Sequence, residues 1–165
     1  MKLEQLSALD RAAFVAAFGA IYEHSPWVAE QAWERRPFAS VVTLQQAMRA
    51  CVDASTEQRQ LALLRAHPRL GRRAGLTPSS QAEQTGAGLH VAANEAQRTL
   101  DELHQRYETK FGFPFIIAVR GLDTQAIIAA ASVRIGHSPE AEFREALEQV
   151  HRIAGFRLAD LFAAD

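Results

Sequence analysis

Residues 89–107, LHVAANEAQRTLDELHQRY, carry the pattern that decides the fold class. Their apolar positions recur in alternating steps of four and three residues, which is the spacing of one face of an α-helix. These positions are Leu89, Ala93, Ala96, Leu100, Leu103 and Tyr107. The stretch therefore predicts a long amphipathic helix, which should end near Gly112.

The same periodicity extends along most of the chain. Helix-start signals precede the apolar stripes; they are Ser7, Ser25-Pro26, Thr43, Ser55 or Thr56, Asp123 or Thr124, and Ser138-Pro139-Glu140. Stop signals are expected at His67-Pro68, because proline cannot continue a helix, and at Gly136. Residues 68–79 read as a loop. We therefore expect an all-α, single-domain multi-helix bundle over residues 1–165.

One segment does not follow the helical pattern. Residues 113–119, FPFIIAV, form an apolar run typical of a strand, yet no other segment offers it a pairing partner. Buried backbone N–H and C=O groups need hydrogen-bond partners. The run is either the start of a buried helix or connector, or a short extended segment whose amide groups face something else. A ligand would be a suitable partner.

The composition excludes several classes of function. A formal net charge of −1 over 165 residues argues against nucleic acid as a partner, since such proteins usually carry a basic excess. No run approaches the roughly 20 apolar residues of a membrane span. The single cysteine, Cys51, lies on an apolar stripe and indicates a packed thiol in a reducing compartment. Six scattered histidines form no metal-binding motif, so we expect no metal. The single cysteine and the lack of a membrane-spanning run predict a cytoplasmic protein.

His67 is the first candidate for chemistry. It lies where Pro68 breaks a helix, and an unperturbed imidazole pKa of about 6.5 suits proton transfer near neutrality. Arginines that could attract an anionic substrate surround it in sequence: Arg65, Arg69, Arg72 and Arg73. The alternative is an ordinary histidine at a helix C-terminus, followed by a solvated basic loop.

Ser80 and Glu83 are the second candidate. Their spacing matches a capping box, in which each side chain bonds the other residue's backbone N–H, and this explains both residues without a function. A capping box does not explain Gln84, nor Gly86 and Gly88 so early in a helix. Because glycine disfavours helix interiors, the two glycines suggest close approach by another backbone or a ligand.

Three segments resemble the 2-oxo-4-hydroxy-4-carboxy-5-ureidoimidazoline (OHCU) decarboxylases. They are residues 66–71, AHPRLG, residues 80–89, SQAEQTGAGL, and residues 110–115, KFGFPF. Weaker similarity covers residues 14–33 and the last helix through Arg157-Leu158, so the resemblance spans nearly the whole chain. Many members carry an acidic residue and Ala-Gly after His-Pro, where this chain has Arg-Leu-Gly.

The resemblance implies an all-α fold of the OHCU decarboxylase type, commonly a homodimer, without metal or organic cofactor. It implies His67 as the catalytic acid/base and Glu83 as its carboxylate partner. The residues that it places against the substrate are Pro68, Ser80, Gln84, Arg157 and, through backbone groups, Phe115, Ile116, Ile117, Ala118 and Val119.

The activity that the resemblance implies is decarboxylation of OHCU to (S)-allantoin, the last step in the conversion of urate to allantoin. Three other interpretations fit the same helical pattern. They are a non-catalytic binding module, a related enzyme acting on a different heterocyclic acid, and a helical interaction protein without a small ligand.

Overall fold

The computed structural model describes residue 6 and residues 8–70, 78–88 and 94–163. Within these residues the chain forms α-helices and no strand, which confirms the all-α prediction. The helices are α1 (Arg11–Phe18), α2 (Trp27–Trp33), α3 (Val41–Asp53), α4 (Glu57–Ala66), α5 (Pro78–Gly86), α6 (Asn94–Phe111), α7 (Thr124–Arg134) and α8 (Pro139–Ala163). None of the described helices combines the length and apolar character that crossing a bilayer requires.

Several helix ends lie where local chemistry predicts them. Asp123 caps α7 by accepting a hydrogen bond from the Ala126 backbone N–H at 2.8 Å, and α4 ends at Ala66, directly before His67-Pro68. α6 ends at Phe111, and Gly112 follows with a left-handed φ of 78°.

Other starts differ from the prediction. α3 begins at Val41, because Ser40 is its cap and Thr43 returns the bond from the first turn in a capping box. α2 begins at Trp27 after Pro26 and has no side-chain cap, so Ser25 does not serve as one. The Ser7 prediction lies outside the described residues; α1 is capped by Asp10.

The chain forms two compact units. Unit 1 comprises Met1–Ala66 and His151–Asp165, and in it α2 packs against both α1 and α3. Its core residues include Phe14, Phe18, Leu44 and Met48, which are fully buried.

Unit 2 comprises His67–Val150, and in it α6 packs against α7. Its core is built around Tyr107, which is fully buried with Phe115 at a ring-centroid distance of 5.3 Å. Residues 114–119 belong to neither helix nor strand, in agreement with the short non-helical segment expected in this region.

The region of Ser80 differs from the sequence prediction. α5 already begins at Pro78, so Ser80 lies inside the first turn and cannot be the cap of a capping box with Glu83. Gly86 ends α5, and Gly88 follows with a left-handed φ of 74°. No described atom lies within 4 Å of a Cβ built on either glycine, so no described backbone approaches them closely. The left-handed conformation of Gly88 is typical of a residue that follows a helix end. The predicted start of the next helix at Leu89 lies outside the described residues.

Candidate functional site

His67 is the first residue of unit 2 and is half-buried, as is Pro68. The residues that follow attach this turn to α6. Arg69 donates a hydrogen bond from Nη2 to the Asp101 carbonyl at 3.1 Å, and its Nε lies 3.6 Å from the Glu108 carboxylate. Leu70 is buried. The chain directly after His67 is therefore fastened to α6 by Arg69.

The Arg69 contacts change the interpretation of the arginine-rich loop. The Arg69 side chain is half-buried, and its guanidinium faces a carbonyl and a carboxylate of α6. Arg69 therefore fastens the chain after His67 to α6. Arg72 and Arg73 lie outside the described residues.

α5 presents one buried face in unit 2. Ser80, Gln84 and Ala87 are buried and Glu83 is half-buried, whereas the intervening positions are exposed. The spacing of zero, three and four residues places Ser80, Glu83 and Gln84 on one side of the helix, and Ala87 follows directly after its end. α5 therefore brings the hydroxyl, carboxylate and amide of three candidate residues to a common face.

The segment 114–119 is held along one edge by two buried side chains. The Arg134 guanidinium, at the end of α7, donates to the Ile116 carbonyl at 2.6 Å. Gln149 of α8 accepts from the Ala118 backbone N–H through Oε1 at 2.9 Å. The two peptide bonds that join Ile116, Ile117 and Ala118 are trans.

The geometry of these peptides determines the directions of the Ile117 backbone N–H and C=O groups. In a trans peptide the C=O and the N–H point in opposite directions. The Ile117 N–H thus points away from Arg134, and the Ile117 C=O points away from Gln149. No residue that the structure describes forms a hydrogen bond with either group. In an extended segment the N–H and C=O of one residue lie on the same edge. Ile117 presents a neighbouring donor and acceptor there.

A buried polar network supports Arg134. Its Nε donates to Glu142 Oε1 at 2.8 Å, and its Nη2 forms an ion pair with the same carboxylate. The Tyr107 hydroxyl also donates to Glu142, and His137 Nδ1 lies 2.9 Å from Glu142 Oε2. The guanidinium carbon lies 4.6 Å from the centroid of the Phe115 ring, a cation–π contact.

The ionisation of Tyr107 follows from this network. Burial raises the pKa of the Tyr107 phenol well above its ordinary value, and the hydrogen bond to the Glu142 carboxylate raises it further. Tyr107 therefore remains a protonated donor at neutral pH.

Arg157, the remaining candidate, lies in unit 1. Its Nη2 donates to Glu23 Oε2 at 3.0 Å and its Nη1 donates to the Ile21 carbonyl at 3.3 Å, with both charged side chains buried. This ion pair gives Arg157 a structural role within unit 1. The other candidates all belong to unit 2: His67, Pro68, Ser80, Glu83, Gln84 and Phe115, Ile116, Ile117, Ala118 and Val119.

Cys51 matches the packed thiol that its stripe predicts. It is buried on α3, and burial raises the pKa of the thiol, which the nearby Arg35 partly opposes. Among the described side chains, no three His, Cys, Asp or Glu residues cluster so as to hold a metal ion.

Two residues of unit 2 were missed by sequence reasoning: Arg134 and Gln149. Each hydrogen-bonds a backbone group that is distant along the chain, and neither belongs to a recognisable motif. The signal that could have found them is the unpaired extended segment, which requires polar side chains from neighbouring helices.

The chemistry available in unit 2 combines an imidazole, a carboxylate, a buried hydroxyl and amide, and a backbone donor–acceptor pair. An imidazole with a carboxylate can transfer protons. A backbone donor beside an acceptor matches a cyclic amide, whose N–H and C=O are also neighbours.

Comparisons with known proteins place the chain in one protein family. The family model described as OHCU decarboxylase matches residues 7–159. The chain is 47% identical to the 2-oxo-4-hydroxy-4-carboxy-5-ureidoimidazoline decarboxylase of Haloferax volcanii, covering 100% of this chain and 98% of that protein. It is 35% identical to the enzyme of the same name from Mus musculus, covering 99% of this chain and 94% of the mouse protein.

Two solved structures have a similar fold. The crystal structure of an (S)-allantoin synthase matches with a TM-score of 0.82 at 32% identity, covering 98% of this chain and 53% of that chain. The crystal structure of an OHCU decarboxylase in the presence of (S)-allantoin matches with a TM-score of 0.73 at 24% identity, covering 94% of this chain and 99% of that chain.

Proposed function

The chain belongs to the OHCU decarboxylase family, and from this premise we propose that it decarboxylates 2-oxo-4-hydroxy-4-carboxy-5-ureidoimidazoline to (S)-allantoin without a cofactor. The protein is a carboxy-lyase that completes the conversion of urate to allantoin. The observation that carries this function is the likeness to decarboxylases along the full length of both chains.

The name of the substrate defines the chemical problem. A ring carbon carries a hydroxyl and a carboxylate, and its neighbour carries the ureido group and a C=N bond. When the bond to CO₂ breaks, its electron pair forms a C=C bond in the ring and the C=N electrons move to nitrogen, which takes a proton. The resulting enol loses its hydroxyl proton and becomes a ring amide carbonyl, since its carbon is bonded to a ring nitrogen, and the ureido-bearing carbon gains a proton. The ring itself accepts the electrons, so no external electron sink is required.

His67 and Glu83 are the proposed catalytic residues. His67 would exchange the proton between the substrate hydroxyl or carboxylate and the ring, and Glu83 would orient its imidazole and favour the protonated form. Anchoring of the chain after His67 by Arg69 supports this role, because a proton donor must be held in position. Delivery of the proton from one side explains a single enantiomer.

The remaining candidates are proposed to bind the substrate. Ile117 N–H and C=O would pair with the ring amide, and preorganised backbone donors of this kind also stabilise charge that develops on a ring oxygen. The other proposed contacts are Pro68, Ser80, Gln84, Phe115, Ile116, Ala118 and Val119. The resemblance also implies Arg157, which forms its ion pair with Glu23 in unit 1. The buried face of α5 supports the contacts by Ser80 and Gln84.

A coupled assay tests the function. Urate, urate oxidase and hydroxyisourate hydrolase generate the unstable substrate, and circular dichroism follows the optical activity of the allantoin formed. We expect rapid formation of (S)-allantoin with the protein and slow racemic product without it. Slow racemic product in both samples would refute the decarboxylase function and favour a binding module or a different heterocyclic acid.

The proposal also includes the domain organisation, the oligomeric state and the cellular location. We propose that residues 1–165 act as one domain, that the protein is a homodimer, and that it works in the cytoplasm. The single cysteine supports a reducing compartment. Light scattering after size-exclusion chromatography tests the dimer, since a molar mass near the 18.2 kDa of one chain would contradict it.

A further inference from the structure

We propose that Gln149 and Arg134 are positioning residues for the reaction, which set the direction in which Ile117 presents its N–H and C=O to the substrate ring. This inference rests on the proposed function, because it concerns the same site. The two side chains act from behind the segment and do not touch the substrate themselves.

Two hydrogen bonds fix the peptides on either side of Ile117. Arg134 fixes the peptide before Ile117 by its carbonyl oxygen, and Gln149 fixes the peptide after Ile117 by its N–H. Two successive peptide planes determine both dihedral angles of the residue between them. The conformation of Ile117 is therefore set from outside the segment, which has no neighbouring strand to pair with among the described residues.

A neighbouring carboxylate sets the orientation of the Gln149 amide. Its Nε2 donates to Glu145 Oε1 at 2.7 Å, one helical turn earlier in α8. A carboxylate accepts hydrogen bonds and does not donate them when ionised, so it selects the NH₂ end of the amide. The Oε1 end is thereby left for the Ala118 N–H. Glu145 thus orients Gln149.

Arg134 is itself held in one orientation by its neighbours. Glu142 holds two of its nitrogens, the Phe115 ring lies against the guanidinium, and the remaining nitrogen reaches the Ile116 carbonyl. A planar guanidinium fixed at one side has little freedom at the other. The carbonyl therefore meets a donor whose direction is already set.

Gln149→Leu tests the proposal, because it removes the acceptor for Ala118 and keeps a side chain of similar size. We expect KM to rise by about tenfold and kcat to change by less than about threefold, since substrate alignment is weakened while His67 and Glu83 remain. In the free protein, the Ile117 amide NMR resonance should shift, and hydrogen exchange of the Ala118 amide, which loses its acceptor, should accelerate.

A matched control separates positioning from stability. Ile127→Val truncates a fully buried residue of α7 in the same unit and lowers stability without removing a hydrogen bond. It should leave KM within about twofold of the wild-type value. In the double variant Glu145→Gln with Gln149→Glu, position 145 supplies the donor between the two side chains and position 149 still accepts from the Ala118 N–H. Its KM should therefore lie much closer to the wild-type value than that of Gln149→Leu.

The outcomes are distinct. A folded Gln149→Leu variant with wild-type KM and an unchanged Ile117 resonance overturns the positioning role. If this variant does not fold, Glu145→Leu replaces it, because Glu145 is half-buried and its loss releases only the orientation of Gln149. That variant should raise KM by about threefold, and an unchanged KM overturns the proposal equally. If the wild-type protein forms no (S)-allantoin, the proposed function fails, and the Ile117 resonance still decides whether Gln149 sets the peptide.

Discussion

Replacing Tyr107 by phenylalanine removes one oxygen atom from the core of unit 2 and leaves the aromatic ring in place. The side chain is fully buried and its hydroxyl donates to the Glu142 carboxylate. A hydrogen bond to a charged group contributes about 1.5–3 kcal/mol to stability. Glu142 keeps Arg134 and His137, so no unpaired charge is created. We expect Tyr107→Phe to lower the free energy of unfolding by that amount, and Tm by about 3–12 °C for a chain of this length.

The stability difference between wild type and Tyr107→Phe should depend on pH in one direction. Burial and Glu142 raise the pKa of the folded phenol, whereas the unfolded phenol titrates near about 10. Below that pH the phenol is protonated in both states, and the contribution of the hydrogen bond is fully present. As pH rises above it, only the unfolded state loses the proton. The wild-type protein therefore loses its advantage, by about 1.4 kcal/mol between pH 9 and pH 11.

Urea denaturation of both proteins, followed by circular dichroism from pH 7 to pH 11, measures this difference. The phenylalanine variant reports how all other groups respond to alkaline pH, so subtraction isolates the Tyr107 phenol. Equal stability of the two proteins at pH 7 would refute the energetic role of the hydrogen bond. A difference that stays constant up to pH 11 would refute the raised pKa.

Three further predictions concern the active histidine, a helix cap and the thiol. His67→Asn should fold normally and lose about two to four orders of magnitude in the rate of (S)-allantoin formation. His24→Asn should keep wild-type activity, because His24 is exposed and has a left-handed φ of 55° that asparagine tolerates. Equal rates for both variants would remove His67 from the mechanism. Asp123→Ala should lower the free energy of unfolding in urea by about 1 kcal/mol by removing the cap of α7, and the exposed Gln125→Ala should change it by less than about 0.5 kcal/mol. Cys51 should react with a thiol reagent at least about a hundredfold more slowly in buffer than in urea, since burial raises its pKa, and equal rates would contradict the packing of α3.

Helix boundaries were predictable where the deciding residues are close together in sequence. Asp123 bonds a backbone N–H three residues later, and Pro68 stops a helix through its own ring. The Ser138-Pro139 start is of the same kind, with Ser138 accepting from the Ala141 N–H at 3.2 Å. Such signals are local, so they do not depend on knowing the rest of the fold.

The capping-box interpretation of Ser80 and Glu83 was wrong for an instructive reason. Residues three apart on a helix share a face wherever they occur along it, so their spacing alone does not locate the helix start. In the structure this spacing contributes to a buried face of α5 instead. The capping box therefore no longer accounts for the two residues, and their functional interpretation stays a prediction.

The support of the extended segment could not be read from the sequence. Arg134 lies 18 residues from its backbone partner Ile116, and Gln149 lies 31 residues from Ala118. Nothing in the local sequence of either residue specifies such a distant partner. What the sequence did indicate was the need, since an apolar extended run without a pairing strand must satisfy its backbone groups in another way.

Burial of the Arg134–Glu142 pair has a consequence for the response of the protein to ionic strength. Their side chains are 7% and 0% exposed, whereas those of the surface pair Arg49–Asp53 are 44% and 50% exposed. Dissolved ions screen exposed charges over a distance of about 10 Å at 0.1 M salt, and buried pairs much less. Concentrated salt should therefore weaken the Arg49–Asp53 pair and leave the hydrogen bond from Arg134 to the Ile116 carbonyl unchanged. The directions of the Ile117 N–H and C=O should then be independent of the salt concentration.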